Sequence, residues 1–262
     1  MINANDVAVT GVRPRWFLAV VLLPPGTGAA AIEALFADMH AALERLEVVL
    51  VGGHTEITAA VTQPIVIGQM LGFREDGRFV RTAGMAAGDV VLQIGPAPVE
   101  GAAVLASAAP QRLGALPPDL LAQALRAVLE PGICVVEPAL LAADLGARAL
   151  HDPTEGGLSA GLHELAEAAG LALVIDPLAV LWFAPGRAVC AALGADPWGT
   201  LASGTLLAAF PAERIEQAEA ALAAAGHPGA RIGRAEQGQG VRTTAGSRLA
   251  RFEQDEVSRI LG

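Results

Sequence analysis

The chain has 262 residues, of which 53% are hydrophobic, and a formal net charge of -10 at neutral pH. This length can bury a sizeable core and predicts two domains. The acidic balance argues against a nucleic-acid partner, which would require a basic face. No run of about 18 apolar residues occurs, so we expect no membrane-spanning helix and, without a charged and then apolar leader, a cytoplasmic protein.

The basic residues limit the phosphate chemistry that is available. All 17 of them are arginine, because the sequence contains no lysine. A Schiff-base lysine and the lysine of a Walker loop are therefore excluded. Any phosphate would have to be held by arginine, by backbone N–H groups or by a metal ion.

Residues 1–78 predict an α/β domain. The segment "NDVAVTG" is typical of a short helix that Gly11 ends, and "RWFLAVVLLP" of a buried strand. A long amphipathic helix follows in "AAAIEALFADMHAALERLEV", where apolar residues recur in steps of three and four. Two further strands are predicted in "VVLVGG" and "PIVIGQMLG". The polar, turn-rich "FREDGRFVRTAG" then marks the crossing to the second domain.

Residues 79–262 predict a domain of mixed helices and strands. Strands are expected in "DVVLQIG", "LALVID" and "TLLAAF", and short closing strands in "ARIGRAEQG" and "RLARF". Helices are expected in "AERIEQAEAALAAAG" and over 99–109, 119–129, 138–146 and 156–169. Because these elements lack a regular strand–helix–strand spacing, the predicted fold class is α+β.

The strongest candidate for a functional site is the stretch "HDPTEGGLSAGLHELAE". Thr154 is placed to cap the helix that follows, and Gly156 and Gly157 would leave its first N–H groups bare. Such a helix start binds anions, because unpaired donors and the helix dipole point at the ligand. Asp152 would repel a phosphate unless a divalent cation lay between them. A plain capped helix after a Pro-Thr turn is the structural alternative.

A second candidate, "VGGHTEI", follows directly after a predicted strand. Gly52 and Gly53 would allow a ligand to approach the backbone closely, and His54, Thr55 and Glu56 would project nearby. A tight turn with exposed polar residues is the structural alternative.

The third candidate, "NAND", lies at the start of the chain. Asn5 and Asp6 are placed to hold a metal ion, and an Asx cap of the following helical turn is the alternative. Asp6, Glu56 and Asp152 together place three acids at the ends of elements in a chain without lysine. This combination indicates metal–phosphate chemistry more strongly than any one of the acids alone.

Six segments, in this order, resemble the aminoimidazole ribonucleotide (AIR) synthase superfamily, also called PurM-like, and most of all its HypE and AIR synthase-related members. The segments are "NANDVAVTGVRP", "VLVGGHTE", "AAGDVVLQIG", "HDPTEGGLSAGLHELAE", "DPWGTLASGTLLAAF" and "ARIGRAE". The resemblance implies an N-terminal α/β domain whose sheet pairs with that of a second subunit, and a C-terminal α+β domain. It also implies a homodimer that binds ATP and Mg²⁺ in a cleft at the subunit interface and acts on a small-molecule substrate.

The resemblance also implies roles for individual residues. Asp6 matches the metal-binding aspartate of the family. Asp152 begins the turn that faces substrate or nucleotide, and this turn continues through Thr154, Gly156 and Gly157. Asp6 and Asp152 would thus hold the metal, and Asp152 is also a candidate catalytic residue.

The segment "GGHTE" departs from the family pattern at one position. His54 is a candidate metal ligand because it stands where relatives carry a metal-binding acid, although histidine is a poorer ligand for Mg²⁺ than a carboxylate. Glu56, two residues further on, would substitute for that acid and join Asp152 in catalysis. The remaining nucleotide contacts are expected from Asn5, Gly52, Gly53 and Thr55.

The leading hypothesis is ATP- and Mg²⁺-dependent phosphorylation of an amide- or carbonyl-type oxygen, with catalysis by positioning and charge neutralisation. A non-catalytic binding or scaffold protein of the same fold is the alternative, and a zinc hydrolase that uses His151 and His163 is a third. Relatives carry a segment with a glycine-rich loop before "NAND". We therefore expect this chain to be an N-terminally shortened relative or the product of a misassigned start.

Overall fold

The N-terminal sheet has three strands in a computed structural model that describes the whole chain, from Met1 to Gly262. This region contains, in order, α1 (Ile2–Ala8), β1 (Pro14–Leu23), α2 (Ala29–Arg45), β2 (Val49–Ile57) and β3 (Ile65–Gly72). The strand β1 lies in the centre, parallel to β2 and antiparallel to β3. The helix α2 is the crossover that a parallel pair requires, so the predicted α/β arrangement of this region is confirmed.

One face of this sheet is covered and the other is open. The amphipathic helix α2 packs its apolar side on alternate residues of β1, namely Phe17, Ala19, Val21 and Leu23. The opposite face carries large apolar side chains that are 39–60% exposed, which are Trp16, Val49, Ile65, Ile67 and Leu71. We call this surface the open sheet face. His54 and Glu56 share it, because they lie opposite Val20 and Leu22 of β1.

The segment "GGHTEI" is a strand rather than the predicted turn. The strand β2 continues beside β1 as far as Ile57, so that Gly53 lies opposite Ala19. Gly53 has a φ of +148°, and a Cβ atom there would lie 1.9 Å from the carbonyl oxygen of Ala19. Close contact between two strands, rather than the approach of a ligand, therefore explains this glycine. The low strand propensity of glycine pointed to a turn, but pairing with β1 outweighs that propensity.

The second region contains six strands and seven helices. The strands are β4 (Val90–Ile94), β5 (Ala149–His151), β6 (Ala172–Ile175), β7 (Leu206–Phe210), β8 (Gly229–Glu236) and β9 (Gly240–Thr243). The helices are α3 (Glu100–Ala108), α4 (Pro118–Arg126), α5 (Val136–Asp144), α6 (Gly157–Ala169), α7 (Ala184–Leu193), α8 (Ile215–Ala224) and α9 (Glu256–Leu261). None of the helices in the chain is long and apolar enough to cross a membrane.

The six strands form one sheet in the order β5-β7-β4-β8-β6-β9, and only the last pair is parallel. The helix α6 packs on one face through Leu158, Leu162 and Leu165. The helices α5 and α8, together with the N-terminal helix α1, cover the other face, where Phe210 is fully buried. The helices α3, α4, α7 and α9 form a separate apolar cluster. This mixture confirms the predicted α+β fold class.

Several elements of the second region depart from the sequence prediction. The elements β5, β9, α7 and α9 were not predicted, and "RLARF" forms only a single bridge, between Arg242 and Arg248, instead of a strand. The helix α7 has no capping side chain, since Phe183 precedes it. The strand β9 owes its conformation to parallel pairing with β6. Pro185 in the first turn of α7 and the left-handed Gly194 at its end are local signals for this helix, whereas β9 carries none.

The two neighbouring glycines of β2 provide a matched test of this packing. Gly53→Ala should lower the free energy of unfolding by about 2–3 kcal/mol, because the added methyl group must displace the backbone of β1. Gly52→Ala is the control, since nothing lies within 4 Å of a Cβ atom at that position. Urea unfolding followed by circular dichroism measures both variants, and equal stabilities would contradict the packing explanation.

Candidate functional site

A buried asparagine joins the N-terminal helix α1 to the second region. The side-chain amide of Asn5 donates to the carbonyl oxygen of Ile133 over 2.8 Å, and its Oδ1 accepts from the N–H of Val135 over 2.9 Å. Asn5 lies inside α1, so it is not the Asx cap of a following turn. The backbone uses both polar groups of this side chain, and Asn5 thereby anchors α1 to the second region.

Two of the predicted metal ligands come together at this junction. Asp6 follows Asn5 on α1 and is exposed, whereas Asp152 directly follows β5 and is only 6% exposed. Burial, and after it the negative charge of Asp6, raises the pKa of Asp152 to about 6. Burial and the charge of Glu155 likewise raise the pKa of Asp6. The fold thus gathers three carboxylates where the two regions meet.

Three buried side-chain oxygens around this junction have no hydrogen-bond partner, and they are Asp152 Oδ2, Glu100 Oε2 and Ser203 Oγ. The segments that carry them are in contact. The N–H of Gly101 donates to the carbonyl of Leu201, and the N–H of Ala202 donates to the carbonyl of Thr154. Buried polar atoms without a partner are uncommon and call for an explanation such as a ligand. Ser203 lies in the segment "DPWGTLASGTLLAAF", and Glu100 lies in none of the quoted segments, but sequence reasoning named neither as a candidate site residue.

The carboxylates fit a magnesium ion that is also bound by a phosphate ligand better than a metal ion that is bound by protein side chains alone. No group of three or more His, Cys, Asp or Glu side chains is arranged to hold a metal ion. Mg²⁺ commonly takes one or two protein carboxylates and completes its shell with phosphate oxygens and water. The unpartnered Oδ2 of Asp152, close to Asp6, matches that pattern.

The histidines considered for a zinc site are engaged elsewhere. His151 Nε2 lies 2.5 Å from a carboxylate oxygen of Glu164, and His163 Nε2 lies 3.3 Å from the carbonyl oxygen of Leu249. A catalytic zinc site needs three converging protein ligands. The zinc-hydrolase alternative therefore finds no support in the structure.

The start of α6 is closed rather than bare. The N–H of Gly156 donates to Oδ2 of Asp255 over 2.7 Å. The sequence predicted that the hydroxyl group of Thr154 caps the helix, but it does not. Instead, the carbonyl oxygen of Thr154 accepts a hydrogen bond from the N–H of Gly157. A carboxylate of the chain itself thus fills part of the predicted anion site. Asp255 lies about a hundred residues further along the chain, and no local signal connects it to this turn.

The two glycines of this turn serve the packing of the backbone. Gly156 and Gly157 have φ values of +76° and +68°, a conformation that favours glycine at both positions. A Cβ atom on Gly157 would also lie 2.5 Å from the carbonyl oxygen of Trp198. The fold therefore requires glycine at position 157 whether or not a ligand approaches it.

The other predicted ligands lie apart from the Asp6–Asp152 pair within one chain. His54, Thr55 and Glu56 belong to β2, at one edge of the three-stranded sheet, whereas α1 packs on β3 at the other edge. Neighbouring strands are about 4.8 Å apart, so the two edges are separated by about 10 Å. His54 Nε2 lies 3.4 Å from Glu56 Oε2, and both side chains are more than half exposed. One chain does not bring these residues to the carboxylate pair.

The architecture defines a class of protein in which an N-terminal α/β region and a C-terminal α+β region meet at a junction of carboxylates. Family models match both regions. The N-terminal domain of AIR synthase related protein matches residues 1–73, and its C-terminal domain matches residues 86–246. The chain belongs to the AIR synthase related protein family, as the resemblance implied.

Several individual relatives that this chain resembles carry the name HypE. Carbamoyl dehydratase HypE of Rhodobacter capsulatus is 32% identical over 228 residues, which are 85% of this chain and 62% of that protein. The structure of Escherichia coli HypE matches with a TM-score of 0.79 and 24% identity over 98% of this chain and 80% of that chain. A HypE structure in complex with ATP matches with a TM-score of 0.75 and 25% identity over 97% and 78%. The chain spans about 60% of the length of the curated relatives it matches.

Asp152→Asn should stabilise the ligand-free protein at pH 7.5, and this gain should fade as the pH falls from 6 towards 4. The pKa of Asp152 rises from 3.8 in the unfolded chain to about 6 in the folded protein. Above pH 6 the carboxylate is charged in both the folded and the unfolded protein, and its burial lowers the free energy of unfolding. Below pH 4 the carboxyl is protonated in both, and this destabilisation is lost. We expect a gain of about 1–3 kcal/mol at pH 7.5.

Chemical unfolding across this pH range measures the effect. Asp38→Asn is the control, because Asp38 is an exposed residue of α2. A gain of equal size at both ends of the pH range would contradict the assignment to a buried charge.

Proposed function

We propose that the protein binds ATP together with Mg²⁺ and phosphorylates an amide- or carbonyl-type oxygen of a small molecule. The observation that carries this proposal is the buried, unpartnered carboxylate oxygen of Asp152 beside Asp6, in a member of the AIR synthase related family. A relative of similar fold, HypE, has been crystallised with ATP.

In this proposal Asp6 and Asp152 hold the magnesium ion, which supplies charge neutralisation at the phosphates when it is bound. Thr154 is half-buried and its hydroxyl caps no helix, which leaves that group available to a phosphate oxygen. The turn at Gly156 contributes less than the sequence implied, because its N–H is bonded to Asp255.

The reaction requires no covalent bond between the substrate and a side chain of the protein. The substrate oxygen attacks the terminal phosphorus of ATP and ADP leaves, so that a poor leaving group becomes a good one. Positioning and charge neutralisation account for most of the catalysis in such transfers. A site built from carboxylates, a metal ion and backbone groups suits a chain that has no lysine.

A second copy of the chain would cover the open sheet face and complete the site. Large exposed apolar patches usually mark interfaces, and His54 and Glu56 lie on this face among exposed side chains such as Ile67. Pairing of two open sheet faces would bury both residues at the interface, where they would assist the carboxylates of the other copy. Thr55 lies opposite Val21 and thus on the other face of the sheet, which argues against a role for it.

Thermal unfolding with and without ATP and Mg²⁺ tests the nucleotide site. A ligand that binds only the folded state, at a hundredfold excess over its Kd, raises the free energy of unfolding by about 2.7 kcal/mol. We expect Asp6→Asn to abolish the shift while the ligand-free variant stays folded. Asp38→Asn removes an exposed carboxylate of α2 and should keep the full shift. An undiminished shift in Asp6→Asn would remove Asp6 from the metal site.

A non-catalytic binding protein is the second candidate, and one observation favours it. The carboxylate of Asp255 occupies the N–H of Gly156, a donor that would otherwise face a phosphate. Such a protein would bind nucleotide and release it unchanged. Incubation of a limiting amount of ATP with excess protein, Mg²⁺ and small amides separates the two candidates. ADP formation that Asp152→Asn abolishes supports the enzyme, and full recovery of intact ATP supports the binding protein.

Light scattering tests whether the open sheet face pairs with a second copy. We expect a dimer at micromolar concentration, and we expect Ile67→Arg to yield a monomer, because it would bury a charge in an apolar interface. Leu178→Arg is the control, since Leu178 is 95% exposed and lies outside the face. A monomeric wild-type protein, or a dimer that survives Ile67→Arg, would rule out this pairing.

A further inference from the structure

A cavity of about 650 Å³ lies between the C-terminal half of α6 and the strand β9 with the turn that follows it. Its polar walls are formed by His163 and Glu167 on α6 and by Arg242 and Arg248 across from them. The start of α6, beside Asp152, is the opposite end of the same helix, and 13 residues span about 20 Å. The cavity is therefore distinct from the carboxylate junction.

Two arginines face each other at this cavity. Arg242 and Arg248 are partners in an isolated antiparallel bridge, which sets their side chains directly opposite one another. Like charges in directly opposite positions destabilise a strand pair. Arg242 is compensated by Glu236, at 2.6 Å, whereas Arg248 forms no salt bridge or side-chain hydrogen bond within the chain. One positive charge at the cavity is thus left without an acid.

The acid in the cavity wall does not cancel that charge. The carboxylate of Glu167 is paired with the guanidinium group of Arg251. His163 contributes a further polar group, since its Nε2 lies 3.3 Å from the carbonyl oxygen of Leu249. The uncompensated charge of the cavity is therefore positive, on a chain whose net charge is -10.

We propose that this cavity binds a small phosphorylated molecule, with the phosphate between the guanidinium groups of Arg242 and Arg248. Arginine matches the geometry of phosphate oxygens, and an anion at this place relieves the repulsion between the two facing arginines. The volume lies within the range of sites for small molecules. Gly240 and Gly246 also line the cavity, so no side chain occupies it at these two positions. This site does not depend on the proposed nucleotide function.

Titration calorimetry with inorganic phosphate, at an ionic strength held constant with chloride, tests the proposal. We expect saturable binding to the wild-type protein and a loss of at least tenfold in affinity for Arg248→Gln. Arg187→Gln is the matched control, because Arg187 is exposed, forms no salt bridge and lies outside the cavity. Arg248 is exposed and forms no salt bridge or side-chain hydrogen bond, so we expect Arg248→Gln to stay folded. Failure of the wild-type protein to bind phosphate, or equal losses in both variants, would overturn the proposal.

Glu167→Gln provides a readout that misfolding cannot imitate. Removal of this carboxylate releases Arg251 and adds positive charge near the cavity, so we expect phosphate to bind more tightly. An unchanged or weaker affinity would count against the site. Asp6→Asn should leave phosphate binding intact, and Arg248→Gln should leave the thermal shift by ATP and Mg²⁺ intact. If Mg²⁺ is present in the titration, loss of phosphate binding in Asp6→Asn would place the phosphate at the carboxylate junction instead and overturn the assignment to this cavity.

Discussion

Two hydrogen bonds of one buried asparagine hold the arrangement on which the candidate site depends. Asn5 bonds the backbone at Ile133 and Val135 and so ties α1 to the segment that precedes α5. A buried polar group that loses such a partner costs about 1–3 kcal/mol, which resists any movement of α1 relative to the second region. Asp6 is the next residue along the helix. The same two bonds therefore keep its carboxylate close to Asp152.

The meeting of these carboxylates is unfavourable in the ligand-free protein. Burial and the charge of Asp6 both disfavour the ionised form of Asp152, and the nearby Glu100 and Ser203 add buried oxygens without partners. Proteins tolerate such buried charges and unpartnered polar atoms at functional sites, and other parts of the fold offset the loss of stability. Here the compensation comes from a well-packed core around α6 and from the anchored helix α1. A cation with its phosphate would supply the interactions that the junction lacks.

Three of the four glycines that the sequence marked as places of ligand approach have reasons within the fold. At Gly53 the neighbouring strand leaves no room for a Cβ atom, and at Gly157 the carbonyl of Trp198 does the same. A sequence cannot distinguish these cases, because a ligand and another part of the backbone exclude a side chain in the same way. Of the four glycines, only Gly52 has open space around it.

The sequence by itself determined the elements with a strong hydrophobic period, such as β1, α2 and α6, because an apolar stripe has to be buried. It also singled out Asp6 and Asp152 as candidate metal ligands, because acids at predicted element ends carry a chemical signal. Only the tertiary structure decided that these two meet, that Asn5 bonds the backbone near α5 and that Asp255 closes the start of α6. The bonds of Asn5 to Ile133 and of Gly156 to Asp255 join residues 128 and 99 positions apart. Such contacts depend on how whole elements pack against each other, so the local sequence around either residue does not predict them.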